Sequence, residues 1–67
     1  MYTNLIAVMA AKKVTIESMS KLLGVHRNTV QNKLNGESEF TFEQAQLIAD
    51  VFFPEYKPSF LFKRFAA

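Results

Sequence analysis

Four polar side chains capable of hydrogen bonding recur at spacings of three and four residues near the middle of the chain. They are Arg27, Asn28, Gln31 and Asn32. Residues at these spacings share one side of an α-helix, so the four side chains project together if the segment is helical. A guanidinium can pair with guanine through two hydrogen bonds, and a carboxamide can pair likewise with adenine, in the major groove of DNA. The chemistry that this stripe offers is the reading of base edges.

Two short helices joined by a tight turn are predicted to hold the stripe, within the segment Thr15–Gly36. Thr15 is a typical helix cap, and the apolar or small residues after it recur at helical intervals, which predicts a helix over Ile16–Leu23. Ser20 falls where the two helices cross, and its small side chain permits a close approach. Gly24 supplies the left-handed backbone common at a helix end.

The second helix is predicted over Arg27–Leu34, with His26 or Asn28 near its start. Val30 and Leu34 lie four residues apart and provide a buried edge, opposite the polar stripe. A short helix with one aliphatic edge and one edge of Arg, Asn and Gln is typical of a DNA recognition helix.

The residues L-G-V-x-R-x-T-V-x-x-K-L-N-G resemble the helix-turn-helix of the Cro-like, XRE-type phage repressors. The likeness is strongest to the small prophage-encoded regulators of Gram-positive bacteria, in which an F-T-x-x-E/Q segment follows the N-G. It extends from about Thr15 to Phe53. The resemblance implies an all-α fold of lambda-repressor-like type, a compact bundle of about five short helices with a central helix-turn-helix. It also implies double-stranded DNA as the partner.

Four further polar residues around the second helix are candidates for contacts with the DNA backbone. They are His26, Thr29, Lys33 and Asn35. For Thr29 an ordinary place on the helix surface is equally open, and Asn35 can also serve the turn that ends the helix. The aliphatic stem of Lys33 can cover the core edge while its ammonium reaches water or phosphate.

The sequence lacks the sets of residues that catalysis or metal binding requires. His26 is the only histidine, and no cysteine or nearby pair of carboxylates completes a catalytic or metal site with it. The carboxylates are expected on exposed helix faces or in a loop. No glycine-rich phosphate loop occurs. We therefore expect no enzyme activity, no cofactor and no small-molecule substrate.

Length and composition predict a single domain spanning residues 1–67 that folds through its core alone. The chain has 49% hydrophobic residues and seven phenylalanines, but no cysteine for a disulfide. No stretch approaches the roughly 20 apolar residues of a membrane span, and the start does not read as a signal peptide. A cytoplasmic location without membrane contact is the expectation.

The charges are unevenly distributed along the chain, although the net charge is only +2. Residues 12–33 carry five basic side chains and one acidic, a balance of +5 − 1 = +4. Residues 36–55 carry −5, and the tail adds +3, which together give +4 − 5 + 3 = +2. The positive block coincides with the predicted helix-turn-helix, as attraction to phosphate requires. Ordinary surface charge on separate helices explains the same pattern equally well.

Two further helices are predicted to pack around this unit. The first is capped by Thr3 or Asn4 and runs to about Lys12. The fourth is opened by Thr41 in a capping box and stopped by Pro54. Its apolar residues recur at helical intervals and predict the main wall of the core; they are Phe42, Ala45, Ile48, Ala49 and Phe52.

The tail is rich in phenylalanine, and a fifth helix is predicted from Pro58 to about Phe65. Its apolar side chains surround most of the helix and exceed what one inward stripe needs. Two interpretations remain open: segment 56–65 forms a homodimer interface, or it docks wholly inside its own chain.

Two functions follow from these observations. The first is a sequence-specific transcription regulator of Cro or repressor type that reads the major groove with helix 26–34. The alternative is a helix-turn-helix protein-interaction module, an antirepressor or oligomerisation partner, that does not bind DNA itself. Glu37 and Glu39 in the loop after the second helix favour the alternative, because like charge opposes phosphate.

Overall fold

The computed structural model describes residues 1–65. This part of the chain contains five α-helices joined by short loops and no β-strand. The helices are α1 (Thr3–Lys12), α2 (Ile16–Leu23), α3 (Arg27–Leu34), α4 (Phe42–Phe52) and α5 (Pro58–Leu61). The all-α fold with about five short helices, predicted from the sequence, is therefore confirmed. The bounds of α2 and α3 agree with the prediction.

The core draws side chains from all five helices and from the turn that follows α4. Its most deeply buried members are fully enclosed by their neighbours; they are Leu5, Met19, Val30, Ile48, Phe53 and Leu61. Ser20 is also buried, and its hydroxyl donates a hydrogen bond of 2.7 Å to the carbonyl oxygen of Glu17. The buried hydroxyl is therefore satisfied within its own helix.

The caps of α2 and α4 form as their sequences predict. The Thr15 side chain accepts a hydrogen bond of 3.1 Å from the backbone N–H of Ser18, and Gly24 ends α2 with a φ of 70°. Thr41 and Gln44 exchange side-chain and backbone hydrogen bonds of 3.0 and 3.1 Å in a capping box. These bonds satisfy amide groups that a helix end otherwise leaves unpaired.

The predicted cap of α1 is wrong. Tyr2 precedes the helix without a capping side-chain bond, and Thr3 and Asn4 are already helical. The Asn4 carboxamide instead donates a 3.0 Å hydrogen bond to the carbonyl oxygen of Phe60. This polar side chain is therefore used to join α1 to the tail.

The fifth helix is shorter than predicted, since it ends at Leu61 and not near Phe65. Leu61 is fully buried, and the ring of Phe62 then turns inward toward the start of the chain. At Phe65 the backbone N–H donates to the Met1 carbonyl at 3.1 Å, and the Met1 nitrogen donates in return at 3.2 Å. These bonds between the two ends replace the hydrogen bonds that a longer helix would make.

Phe42 was predicted to lie in the wall of the core, and it does not. Its side chain is 80% exposed, whereas Ala45, Ile48 and Ala49 from the same stripe are buried. Phe42 lies at the edge of that stripe, in the first turn of α4. The fully buried ring at the other end of α4 is that of Phe53, one residue past the helix.

Candidate nucleic-acid interface

The helix that carries the polar stripe is held from behind by the core. Val30 and Leu34 on α3 are buried, and α2 packs along the same side. Their burial fixes which side of α3 faces outward, because residues three and four apart point in one direction on a helix. The outer side of α3 therefore has a defined orientation.

All four predicted base-reading residues are exposed on α3. Arg27, Asn28, Gln31 and Asn32 thus form a single polar surface, which we call the α3 stripe. Within it, the Gln31 carboxamide nitrogen donates a 3.1 Å hydrogen bond to the Asn35 side-chain oxygen. This bond holds two polar side chains together at the C-terminal half of the helix.

The start of α3 is formed by His26, which is the N-cap residue. Its Nδ1 accepts a 3.0 Å hydrogen bond from the backbone N–H of Asn28. With Nδ1 used as an acceptor, a neutral imidazole carries its proton on Nε2, which is a donor that suits a phosphate oxygen. His26 is exposed, so this donor is accessible.

Two of the predicted backbone-contact residues are only partly exposed. Thr29 is half-buried, and so is Lys33. The Lys33 ammonium donates a 2.8 Å hydrogen bond to the carbonyl oxygen of Glu39 and lies 5.8 Å from the centre of the Phe40 ring. Its charged end is therefore bound to the loop after α3. Asn35 is exposed at the C-terminal end of α3.

The loop after α3 carries Glu37 and Glu39, both exposed. The guanidinium of Arg64 pairs with the Glu39 carboxylate and also donates a 3.3 Å hydrogen bond to the Gly36 carbonyl oxygen. The central carbon of this guanidinium lies over the Tyr2 ring, 5.6 Å from its centre. Glu39 therefore meets two cations, Arg64 at its side chain and Lys33 at its backbone.

Arg64 is a residue of this region that the sequence did not identify. It lies 25 residues from Glu39 along the chain, so no helical spacing relates the two. The available signal was charge, because a tail of +3 follows an acidic segment of −5. Complementary charge indicates attraction, but it does not select the partner of each side chain.

A second ion pair lies between α1 and the turn after α4. The Lys12 ammonium donates a 2.6 Å hydrogen bond to the Glu55 carboxylate. This bond lowers the pKa of the Glu55 carboxyl below its ordinary value and raises the pKa of Lys12 above its own. Lys12 is consequently paired with an acidic group of its own chain.

Residues 1–65 contain no cluster of three or more His, Asp or Glu side chains placed to hold a metal ion. In the same part of the chain, none of the helices combines the length and the apolar character that crossing a membrane requires.

Comparison with known proteins gives one result over most of the chain. Residues 4–52 match the sequence model of the family described as the Cro/C1-type HTH DNA-binding domain. The matched residues include α1 from its second residue and all of α2, α3 and α4, and they end before the tail. No curated protein and no solved structure matches the chain.

Proposed function

We propose that this chain, which belongs to the Cro/C1-type helix-turn-helix DNA-binding domain family, is a sequence-specific regulator of transcription of phage or prophage type. In this proposal α3 enters the major groove of double-stranded DNA, and the protein acts by binding and not by catalysis. Arg27, Asn28, Gln31 and Asn32 read base edges.

The observation that carries the proposal is the α3 stripe: four hydrogen-bonding side chains exposed together on a helix whose other side is fixed in the core. Base reading needs donors and acceptors held in a constant geometry, because each pairing depends on two hydrogen bonds at once. The contacts of Val30 and Leu34 behind the helix provide that constancy.

Contacts with the backbone are assigned to His26, Thr29, Lys33 and Asn35. The exposed Nε2 of His26 is a donor at the N-terminus of α3, where the helix dipole also favours an anion. Asn35 offers an uncharged donor at the other end. Such contacts set the register of the helix in the groove without reading sequence.

Two copies are needed for a full operator. The Cα framework of one copy extends 27 Å along its longest axis, whereas successive major-groove segments on one face of DNA are about 34 Å apart. We propose that the copies meet through segment 56–65. In that segment Leu61 is buried in its own core, while the side chains of Phe60 and Phe65 are 46% and 40% exposed.

The alternative function, a protein-interaction module without DNA binding, is favoured by one observation. Phe42 is 80% exposed at the start of α4 and is followed by Glu43. An exposed aromatic side chain beside acid groups suits a protein surface better than a phosphate backbone. Under this alternative Phe42→Ser abolishes partner binding, and the protein shows no salt-dependent affinity for duplex DNA.

Selection of bound duplexes from a random DNA pool tests the primary proposal. We expect enrichment of a defined sequence, arranged as two half-sites about one helical turn apart. Failure to enrich any sequence at low salt would contradict it.

A matched pair of variants makes the same experiment specific to α3. Gln31 and Gln46 are both helix glutamines whose carboxamide donates to the residue four positions later, Asn35 at 3.1 Å and Asp50 at 2.9 Å. Gln31→Ala is expected to change the selected sequence, and Gln46→Ala is expected to leave it unchanged. If both variants select the wild-type sequence, Gln31 does not read a base.

A further inference from the structure

We propose that Arg64 is a DNA-backbone contact, held beside α3 by the tail, for which Glu39 serves as an internal stand-in for phosphate until DNA binds. This inference rests on the proposed function. Arg64 lies outside the residues matched to the family, 4–52, so the family itself does not supply this contact.

The first argument is position. The Arg64 guanidinium donates to the carbonyl oxygen of Gly36, which directly follows Asn35 at the end of α3. The Cα atoms of Asn35 and Gly36 are about 3.8 Å apart, as for any two consecutive residues. The guanidinium therefore lies near Asn35, which is already assigned to a contact with the DNA backbone. A cation here flanks the base-reading helix at the end opposite His26.

The second argument is how firmly Arg64 is placed. The next residue, Phe65, exchanges two backbone hydrogen bonds with Met1, at 3.1 and 3.2 Å. The guanidinium also lies over the Tyr2 ring, which is itself buried. A long side chain is ordinarily mobile, and these contacts reduce the freedom that it would lose on binding an anion.

The third argument is that a phosphate can replace the Glu39 carboxylate as the partner of the Arg64 guanidinium. A carboxylate and a phosphate present similar pairs of oxygens to the planar donors of arginine. The Arg64 and Glu39 side chains are 41% and 70% exposed, so a phosphate can approach the guanidinium as the carboxylate turns away into water. An exposed ion pair contributes little to stability, so breaking the Arg64–Glu39 pair requires little free energy.

The charge of the loop also fits this role. Glu37 and Glu39 alone place −2 beside the proposed DNA surface, but Arg64 and Lys33 at the same loop add +2, so −2 + 2 = 0. The acidic loop is therefore neutral as a unit. The acidic sequence of the loop by itself indicates repulsion of DNA. When a phosphate replaces Glu39, the Arg64 guanidinium from the tail makes a favourable contact with the DNA backbone at this loop.

The test is the salt dependence of binding to a fluorescent 30-base-pair duplex of random sequence, measured by anisotropy. Each phosphate neutralised contributes about 0.9 to the slope of log affinity against log salt. Arg64→Gln is expected to lower the slope by about that amount. Arg64→Lys, which keeps the charge, is expected to retain it.

The matched control is Lys13→Gln, which removes the same charge from an exposed position at the end of α1, outside the α3 stripe and the tail. We expect its slope to equal that of the wild type. Circular dichroism establishes that each variant is folded. If Arg64→Gln is not folded, the test rests on Arg64→Lys, which is expected to keep the wild-type slope, and on the change in affinity caused by Glu39→Gln.

Glu39→Gln separates the proposed contact from a purely structural latch. If Glu39 is a stand-in for phosphate, its neutralisation tightens DNA binding more than Glu37→Gln does, because Glu37 is an exposed carboxylate of the same loop and Arg64 pairs with Glu39. Equal tightening by the two variants is the general effect of removing a negative charge and overturns the stand-in role. If the ion pair is needed only to hold the loop in place, Glu39→Gln weakens binding, as Arg64→Gln does. Weaker binding by Glu39→Gln, or an unchanged slope in Arg64→Gln, overturns the inference while leaving the proposed function intact. A wild-type protein that does not bind the duplex overturns both.

Discussion

The polar side chains around α3 are already engaged with one another before any DNA arrives. His26 caps the helix, Gln31 is bonded to Asn35, and Lys33 is bonded to the loop. Binding must reuse these bonds or replace them with bonds to DNA, because a buried donor without a partner is costly. The His26 cap can persist in a complex, since it uses only Nδ1. The Gln31 and Lys33 bonds must rearrange if those side chains reach DNA.

Arg27→Ala is expected to weaken binding to the selected operator by about 1–3 kcal/mol and to relax the preference at one base pair. The physical reason is the loss of a guanidinium that can pair with guanine through two hydrogen bonds. Affinities for the operator and for each single-base variant of it provide the measurement. Lys13→Gln, which removes one exposed charge at the end of α1, serves as the control. A uniform loss over all sequences would reassign Arg27 to the phosphate backbone.

The Lys12–Glu55 pair predicts a small dependence of stability on pH, with a sign set by the two pKa shifts. The lowered pKa of Glu55 means that its contribution is present above the ordinary carboxyl pKa and is lost as pH falls through the lowered value. The raised pKa of Lys12 means that its contribution is present below the ordinary lysine pKa and is lost as pH rises through the raised value.

Glu55→Gln is therefore expected to reduce stability near neutral pH and to have no effect at a pH where the wild-type carboxyl is protonated. Urea unfolding of both proteins at neutral pH and near pH 2 measures this difference. Both side chains are exposed, so the effect is small. An equal difference at the two pH values would mean that the substitution acts through packing and not through charge.

At the scale of elements, the sequence predicted a helix boundary correctly where residues close to that boundary in the sequence form a cap. Thr15 and Gly24 bound α2, and the Thr41–Gln44 box opens α4, since each acts within four residues. The start of α1 was missed because Asn4, a good cap by type, bonds instead to Phe60 in the distant tail. Local propensity cannot register a partner 56 residues away.

Thr41→Ala is expected to destabilise the fold by about 0.5–2 kcal/mol, because it removes one half of the capping box of α4. Thr3→Ala is the matched control, since Thr3 is an exposed threonine in the first turn of α1 that does not cap it. A change within about 0.5 kcal/mol is expected there. Chemical unfolding at one pH provides both values; equal losses would show that the cap is not what Thr41 contributes.

On the scale of the whole molecule, a cluster of aromatic rings joins segments that are distant in the sequence. The rings of Tyr2, Phe40 and Phe62 meet edge to face, with centres 5.2–5.8 Å apart. Each ring comes from a different part of the chain, and Arg64 and the Met1–Phe65 bonds adjoin them. Helical periodicity carries no information about such contacts, which explains why the length of α5 and the pairing of Arg64 with Glu39 were not predicted. The α3 stripe was predictable because its residues lie within one and a half turns of a single helix.

Phe60 and Leu61 are adjacent residues that test the two interpretations of the tail. Leu61→Ala is expected to destabilise the monomer by about 2–5 kcal/mol, because Leu61 is fully buried. Phe60→Ala is expected to destabilise the monomer less than Leu61→Ala does, because Phe60 is 46% exposed and loses mainly its stacking on Tyr56. It is also expected to weaken self-association. Unfolding curves and sedimentation equilibrium give the two quantities. Self-association that is unaffected by Phe60→Ala would move the dimer interface away from this segment.

The hydrogen-bonded pairing of Met1 with Phe65 has a practical consequence for engineering this protein. Because Met1 and Phe65 lie side by side, a short linker can join these two residues, and a chain break can be opened in the exposed turn between α4 and α5, which gives a circular permutant. In that rearranged chain the tail is attached through Met1 and no longer through α4. A permutant that folds and keeps its affinity for DNA would show that contacts at Met1, and not the order of the chain, place the tail beside α3.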